Sequence, residues 1–301
     1  MNPVDGSPAG ELEPGTIVGG RWRIVVKLDI GGSGLVYLVV EVGGEGRTAA
    51  LKIRRTDTDH PKDLFENEIR FLRDQPIRGD MPEWLDDGEH EGRPYVVMTL
   101  LEKLPRQMTA REARRYFVQA AKILKRLHEK KIIHGDIKLG NFALMDGRPV
   151  LTDFATASTM KAGEDSVPVV VTPFYLAPEL LTGETRRLTY MTDVYAFGVT
   201  FELACLPDAA KVFDKVHRLT MAATPTRRCD DWDAIGRAIR WAGSNRLVAA
   251  VVGAAVSFSL AVIGIMEAAE FRYEETLLEE HKELIESDAI RKAAEVNKWL
   301  R

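Results

Sequence analysis

Between residues 21 and 53, Val, Ile, Leu and Tyr come in short runs broken by Gly31-Gly32-Ser33-Gly34 and by Gly43-Gly44-Glu45-Gly46. Apolar runs bounded by turn-forming glycines predict strands joined as hairpins, here Trp22–Leu28, Leu35–Val42 and Thr48–Ile53. The period then changes. Leu64, Phe65, Ile69 and Leu72 recur at helical spacing over Lys62–Arg73, so one helix follows three strands. Pro94–Leu101, around Tyr95-Val96-Val97-Met98, reads as a further strand. Beyond it, Ala113, Phe117, Ala120, Ile123, Leu124 and Leu127 line one face of a helix over Thr109–Lys130, with Thr109 and Glu112 as a capping box at its start. Helices are also predicted over Thr192–Cys205 and Asp230–Trp241. A β-rich part therefore precedes an α-rich one, and no internal repeat is visible: an α+β chain.

One segment has no polar face at all. Leu247–Met266 runs about 20 residues without a charge, the length that crosses a hydrocarbon core of roughly 30 Å. A buried core helix is the competing reading, since small residues and two serines also suit a soluble interior. Arg237, Arg240 and Arg246 precede the run, while Glu267 and Glu270 follow it. Positive flanks stay cytoplasmic, so the expectation is a single-pass protein of the cell membrane, its large N-terminal part in the cytoplasm and residues 267–301 on the opposite side. Those last residues read as an acidic helical tail with an irregular amphipathic pattern. Pairing two copies as a homodimer, sensing a signal outside, and simple solvation are the readings open for it.

Composition removes some partners. With 41 Lys and Arg against 45 Asp and Glu the formal net charge is −4. This gives no support to a nucleic-acid binder, which needs a concentrated basic surface. Cys205 and Cys229 are the two cysteines, with no spacing that makes a zinc site, and they read as free thiols in a reducing compartment. Residues 1–16 begin with a Pro-, Gly- and acid-rich stretch that lacks the pattern of a signal peptide and reads as a flexible leader.

Three places carry chemistry. The turn Gly31 to Gly34 lies between two predicted strands, where bare amides could cover phosphates or where a plain hairpin could turn. On the next strand Lys52 stands among apolar Ala50, Leu51 and Ile53; a buried ammonium needs an anion, and Glu68 on the following helix can supply one, although an edge-strand lysine pointing to solvent reads the same. The run His134-Gly135-Asp136-Ile137-Lys138-Leu139-Gly140-Asn141 gathers a carboxylate, a cation and a carboxamide, and Asp153 follows in Leu151-Thr152-Asp153-Phe154-Ala155. A carboxylate to orient a hydroxyl, oxygen ligands for a metal and a cation for phosphate charge are what phosphoryl transfer requires.

In this order the parts resemble the eukaryotic-type protein kinase family over about residues 17–240, with an entry segment, Thr16 to Ile24, similar to bacterial membrane-anchored members. The resemblance implies a bilobal fold with a small β-rich N-lobe (17–101) and a larger helical C-lobe (102–240). It also implies a Ser/Thr protein kinase that uses ATP and Mg2+, or Mn2+ in its place, on a protein substrate. By resemblance Ile30, Gly31, Gly32, Ser33, Gly34, Val36, Ala50 and Lys52 line the nucleotide, Met98 is the gatekeeper, and Thr99, Leu100 and Leu101 form the hinge that meets adenine. Asp136 looks like the catalytic base, Lys138 the γ-phosphate cation, Lys52 and Glu68 the conserved-type ion pair, Asn141 and Asp153 the metal ligands. His134 braces the catalytic loop. Asp193, in Asp193-Val194-Tyr195-Ala196-Phe197-Gly198, holds that loop from a helix, and Arg228 partners Glu179 of Ala177-Pro178-Glu179.

Three residues depart from the family pattern. Asp29 stands where the first loop glycine is usual and would oppose the nucleotide if it pointed inward. Gly135 replaces the arginine that pairs with a phosphorylated activation segment, which implies a kinase not gated by such phosphorylation. Ala155 replaces the glycine of Asp-Phe-Gly. These departures suggest a pseudokinase scaffold as the alternative. A small-molecule kinase is a third class, and the Ala177-Pro178-Glu179, Asp193 and Arg228 set argues against it.

Overall fold

The computed structural model describes residues 10–44, 46–58, 61–159, 173–182 and 187–242. The candidate membrane span Leu247–Met266, the tail beyond it and most of the leader lie outside them. Among the described residues no helix is long and apolar enough to cross a membrane. Residues 1–244 form one compact unit.

In chain order the elements are β1 (Ile17–Val18), β2 (Trp22–Ile30), β3 (Gly34–Glu41), β4 (Thr48–Arg54), α1 (Lys62–Asp74), β5 (Trp84–His90), β6 (Arg93–Met98) and β7 (Glu102–Lys103). They continue with α2 (Ala110–Glu129), β8 (Ile132–Ile133), β9 (Phe142–Met145), β10 (Arg148–Leu151), β11 (Ser158–Thr159), α3 (Pro178–Leu181), α4 (Tyr190–Ala204), α5 (Pro207–Ala210), α6 (Asp214–Thr220) and α7 (Trp232–Trp241). The first part is a six-stranded antiparallel sheet in the order β1-β2-β3-β4-β6-β5, with α1 packed against it. The second is helical around α2, with the short β9–β10 hairpin beside it. The bilobal, kinase-like arrangement implied by the resemblance is therefore present.

Each part has its own apolar cluster. Trp22, Ile24, Leu35, Tyr37, Val39, Leu51 and Ile53 fill the interior of the sheet. Phe117, Leu124, Leu127, Phe197, Phe201 and Trp232 fill the helical part, in a cluster that α1 joins through Phe65, Ile69 and Leu72. Burying such side chains stabilises each by about 1.5–3 kcal/mol. The capping box on α2 forms as the sequence predicts: Glu112 N–H donates to Thr109 Oγ1 at 3.4 Å and Thr109 N–H donates to Glu112 Oε2 at 2.9 Å.

One sequence expectation needs correction, and one strand carries no sequence signal. The strand expected over Pro94–Leu101 ends at Met98: Thr99 N–H makes a last contact beside the edge strand, to Glu83 O at 3.0 Å, and the next residues leave the sheet. Edge strand β5 was not legible, since Trp-Leu-Asp-Asp-Gly-Glu-His lacks an apolar alternation. Polar bonds hold it, with Asp86 Oδ2 accepting from Trp22 Nε1 at 2.7 Å and Asp87 paired with Arg73.

Candidate active site

Lys52 sits on β4 between Leu51 and Ile53, paired across the sheet with Val36 and Val96. Only 7% exposed, its ammonium reaches Glu68 Oε2 on α1 at 2.6 Å and Asp153 Oδ1 at 3.4 Å. The buried-ammonium reading of the sequence therefore holds over the solvent-facing one. Burial by itself would lower the Lys52 pKa, but Asp153 and Glu68 together outweigh it and hold the ammonium above its usual range. Burial pushes the Glu68 carboxyl up to about 7, against the pull of Lys52. Burial also opposes ionisation of Asp153, yet the Lys52 charge keeps this carboxyl below its ordinary value. Three charges thus meet at one point, with Asp153 the most exposed of them.

Asp136, Lys138 and Asn141 follow one another around a short 3-10 turn. Lys138 Nζ lies 2.6 Å from Asp136 Oδ2, and Asn141 Nδ2 donates to the Asp136 backbone oxygen at 2.7 Å and to its Oδ2 at 3.0 Å. Asn141 O in turn accepts from Thr152 N–H, the residue before Asp153, at 2.8 Å. The loop and the Asp153 turn are therefore one hydrogen-bonded body. His134 is fully buried between them: Asp136 N–H donates to its Nδ1, which leaves Nε2 to donate to Thr152 O at 3.0 Å.

Asp193, at 1% exposure on α4, accepts from His134 N–H and Gly135 N–H, each at 2.9 Å. It also accepts from His128 Nε2 at 2.9 Å, and His128 Nδ1 accepts from Trp232 Nε1. Two amides and an imidazole are a full complement for a buried carboxylate. Arg228 makes a bidentate pair with Glu179, both bonds at 2.7 Å, and donates to the carbonyls of Ala222, Met191 and Ala223.

The glycine turn is tied from outside: Arg55 N–H donates to Ser33 O and Thr58 Oγ1 to Gly32 O. At Gly34 a Cβ would lie 2.9 Å from Ile53 O and 3.1 Å from Lys52 Cγ, so a side chain there would collide with the strand that carries the lysine. Ala50 faces Met98 across β4 and β6. At the end of β6 the Thr99 hydroxyl is buried with no partner, while Leu100 is exposed and Leu101 partly so. An unsatisfied polar atom beside an apolar strand end is where a ligand with a hydrogen-bonding edge fits.

The three departures have distinct outcomes. Asp29 is exposed and pairs with Lys103 at 2.7 Å, a bond that lowers its pKa and offsets its charge. Ala155 lies in a short 3-10 turn whose carbonyls are gathered by Asn67 of α1: its Nδ2 reaches Ala155 O at 2.9 Å and Ala157 O at 2.8 Å. Phe154 is buried, stacked on Phe71 and edge-on to His134. Gly135 has φ +82°, and a Cβ on it would stand 2.6 Å from Leu188 Cδ1. The cavity beside it is about 20 Å³, room for about one water.

All the sequence-predicted site residues in the lysine, loop and Asp153 groups are thus brought together. His128, Trp232, Asn67 and Thr156, whose hydroxyl donates to His134 O at 2.9 Å, were missed. His128 carried a signal, a polar residue on the buried side of α2 in its last turn.

A family model described as "Protein kinase domain" matches residues 22–227. The chain is 32% identical over 211 residues to the DNA damage-responsive serine/threonine-protein kinase RqkA of Deinococcus radiodurans, covering 64% of this chain and 31% of that protein. It is 29% identical over 205 residues to a probable serine/threonine-protein kinase of Bifidobacterium longum, covering 63% and 27%. To the probable serine/threonine-protein kinase zyg-1 of Caenorhabditis elegans it is 29% identical over 181 residues, covering 56% and 25%. The match thus spans a third or less of the length of these relatives. A crystallised kinase domain shares the fold at a TM-score of 0.58 and 14% identity, covering 70% of this chain and 74% of that one.

Proposed function

The chain belongs to the protein kinase domain family, and from that premise we propose that it transfers the γ-phosphoryl group of ATP to serine or threonine hydroxyls of a protein substrate. The observation that carries this reading is the joining of Lys52, Glu68 and Asp153 to the Asp136–Lys138–Asn141 loop through Asn141 O and Thr152 N–H. A decayed site would be expected to lose a member of that set. None is lost.

Asp136 orients the substrate hydroxyl and accepts its proton as the oxygen bonds to γ-phosphorus and the bond to the β-phosphate oxygen breaks, releasing ADP. Lys138 balances charge on the transferred group, and Lys52, held by Glu68, meets the other phosphates. The turn Gly31-Gly32-Ser33-Gly34 covers the phosphates with backbone amides, beside Ile30 and Val36, while Ala50, Met98 and residues 99–101 enclose the base. Asn141 and Asp153 offer one carboxamide oxygen and one carboxylate, a donor set that suits Mg2+, which takes few protein ligands and completes its shell with phosphate and water. When bound, that ion neutralises phosphate charge. Phosphate transfer by the full chain to a generic basic protein, compared with Asp136→Ala, tests the reading. Intact ATP binding with equally negligible transfer in both would favour the scaffold.

The same reading includes constitutive competence. Gly135 supplies no guanidinium for a phosphorylated segment, and its left-handed backbone is gripped by Asp193. Replacing Ser158, Thr159, Ser166 and Thr172 by Ala is expected to leave the rate within a few-fold of the parent. A collapse would overturn this part. Residues 247–266 are proposed to tether the chain to a membrane with the catalytic part in the cytoplasm, on the strength of their uncharged length and basic N-terminal flank. Carbonate extraction tests it, and release of the full chain into the soluble fraction would refute it.

A further inference from the structure

Arg111, Arg114 and Arg115 of α2 and Arg240 of α7 line an open concavity of about 420 Å³, together with Val118 and Gln119. Four of the six lining residues are cationic and none is acidic. Among the described residues none of the four arginines has a carboxylate within salt-bridge distance. Arg114 donates to Ala242 O and lies over the Phe213 ring, and its Nε is buried without a partner. Arg115 lies over the ring of its neighbour Tyr116 and has a long contact to Gly147 O at 3.5 Å. Arg111, Arg115 and Arg240 are exposed.

This arrangement opposes local electrostatics twice. Positive charge is disfavoured in the first turns of a helix, where the dipole is itself positive, yet three arginines fall within residues 111–115 of a helix that begins at Ala110. The four guanidinia also repel one another across a common space in a chain whose net charge is −4. An anionic surface facing the concavity relieves both. The position in the chain says which surface. α7 ends at Trp241, which is 67% exposed, and the uncharged run begins at Leu247. Residues 242–246 reach at most about 18 Å. An exposed tryptophan beside arginines next to an apolar span is the pattern of a membrane–water interface.

We propose that this arginine concavity docks the kinase domain onto anionic phospholipid headgroups of the membrane it is tethered to. This rests on the tethered reading above. None of the residues lining the concavity belongs to the lysine, loop or Asp153 groups, so docking sets the orientation of the domain without supplying a group to the reaction.

The test uses the full chain carrying a donor dye at Q119C in a C229S background, in vesicles of phosphatidylcholine alone or mixed with phosphatidylserine, with an acceptor dye on the lipid surface. Energy transfer is expected to rise with phosphatidylserine and to fall back at about 1 M salt, where the screening length is about 3 Å. R111Q/R115Q/R240Q, which spares the packed Arg114, is expected to cut the docked-to-undocked ratio about a hundredfold and to leave phosphotransfer in detergent unchanged. Equal transfer in both lipids, or an unaltered triple variant, overturns the proposal. Saturable binding of an acidic peptide with no response to lipid assigns the arginines to a protein partner and also overturns it. If carbonate releases the chain from neutral vesicles, the tether has failed and flotation decides the docking separately. Flotation with phosphatidylserine vesicles that the triple variant loses supports it, and none sinks it.

Discussion

Among the described residues two Lys or Arg pairs with glutamate are buried on both sides, and they are built for opposite purposes. Arg228 and Glu179 share two bonds of 2.7 Å, and the guanidinium spends its remaining donors on three carbonyls. Lys52 and Glu68 share one contact of 2.6 Å, and the ammonium also leans toward Asp153 at 3.4 Å. The first pair has no capacity left over. The second holds a cation whose other anionic neighbour, Asp153, is partly exposed. The chemistry of the cations matches: arginine cannot shed its proton, whereas lysine and a raised carboxyl can both neutralise if left alone. One pair is a rivet, and the other is a reactive contact kept in tension.

The same substitution at both glutamates separates them. Glu179→Gln is expected to cost about 3–5 kcal/mol of stability, because it leaves a permanently charged guanidinium buried without its counter-ion. Urea denaturation reads this directly, and a loss under about 1 kcal/mol would break the distinction. Glu68→Gln is expected to shift the denaturation midpoint little, since Asp153 still faces Lys52, while kcat/KM for ATP falls on the order of 10²–10³-fold. Comparable stability losses at both sites would show the pairs to be equivalent.

pH sharpens the comparison further. The folded-state pKa of Glu68 is raised to about 7 from an ordinary carboxylate value. Between those two pH values the folded state therefore binds more protons than the unfolded one, and the contribution of Glu68 to stability grows as pH falls. Activity runs the other way. Protonating Glu68 removes the partner that holds Lys52, so kcat/KM for ATP is expected to fall as pH drops through about 7. Opposite slopes for stability and activity are the signature, and Glu68→Gln should flatten both.

The smallest effect concerns Gly135. Gly135→Ala is expected to cost about 1–2 kcal/mol, since its φ of +82° is left-handed and the methyl meets Leu188. A neutral change would show that the loop can relax and that an arginine there could be accommodated.

The sequence made the chemistry legible wherever a residue type was surprising in its local setting. Lys52 among aliphatic neighbours and the polar run around Asp136 are such cases. What it hid were partners distant in the chain. Asn67 gathers carbonyls 88 and 90 residues away, and Trp232 reaches His128 across 104. No local pattern names these partners: an exposed-looking asparagine is ordinary on its own, and a histidine on the buried side of α2 signals only that some partner is needed. Strand β5 was hidden for a related reason. Its polar residues bond to Trp22 of β2 and to Arg73 of α1, so nothing apolar announces it. Asp29 shows the converse, a residue that looked obstructive until Lys103 appeared beside it.

The central claim is that Asp136 works as a base within an intact phosphoryl-transfer site. Phosphate incorporation into serine and threonine of a basic protein substrate, measured for the full chain and for Asp136→Asn with Mg-ATP at matched ATP occupancy, tests it most directly. The account predicts a loss of about 10²–10⁴-fold in kcat, with ATP affinity changed by no more than a few-fold. Equal rates in the two proteins would contradict it.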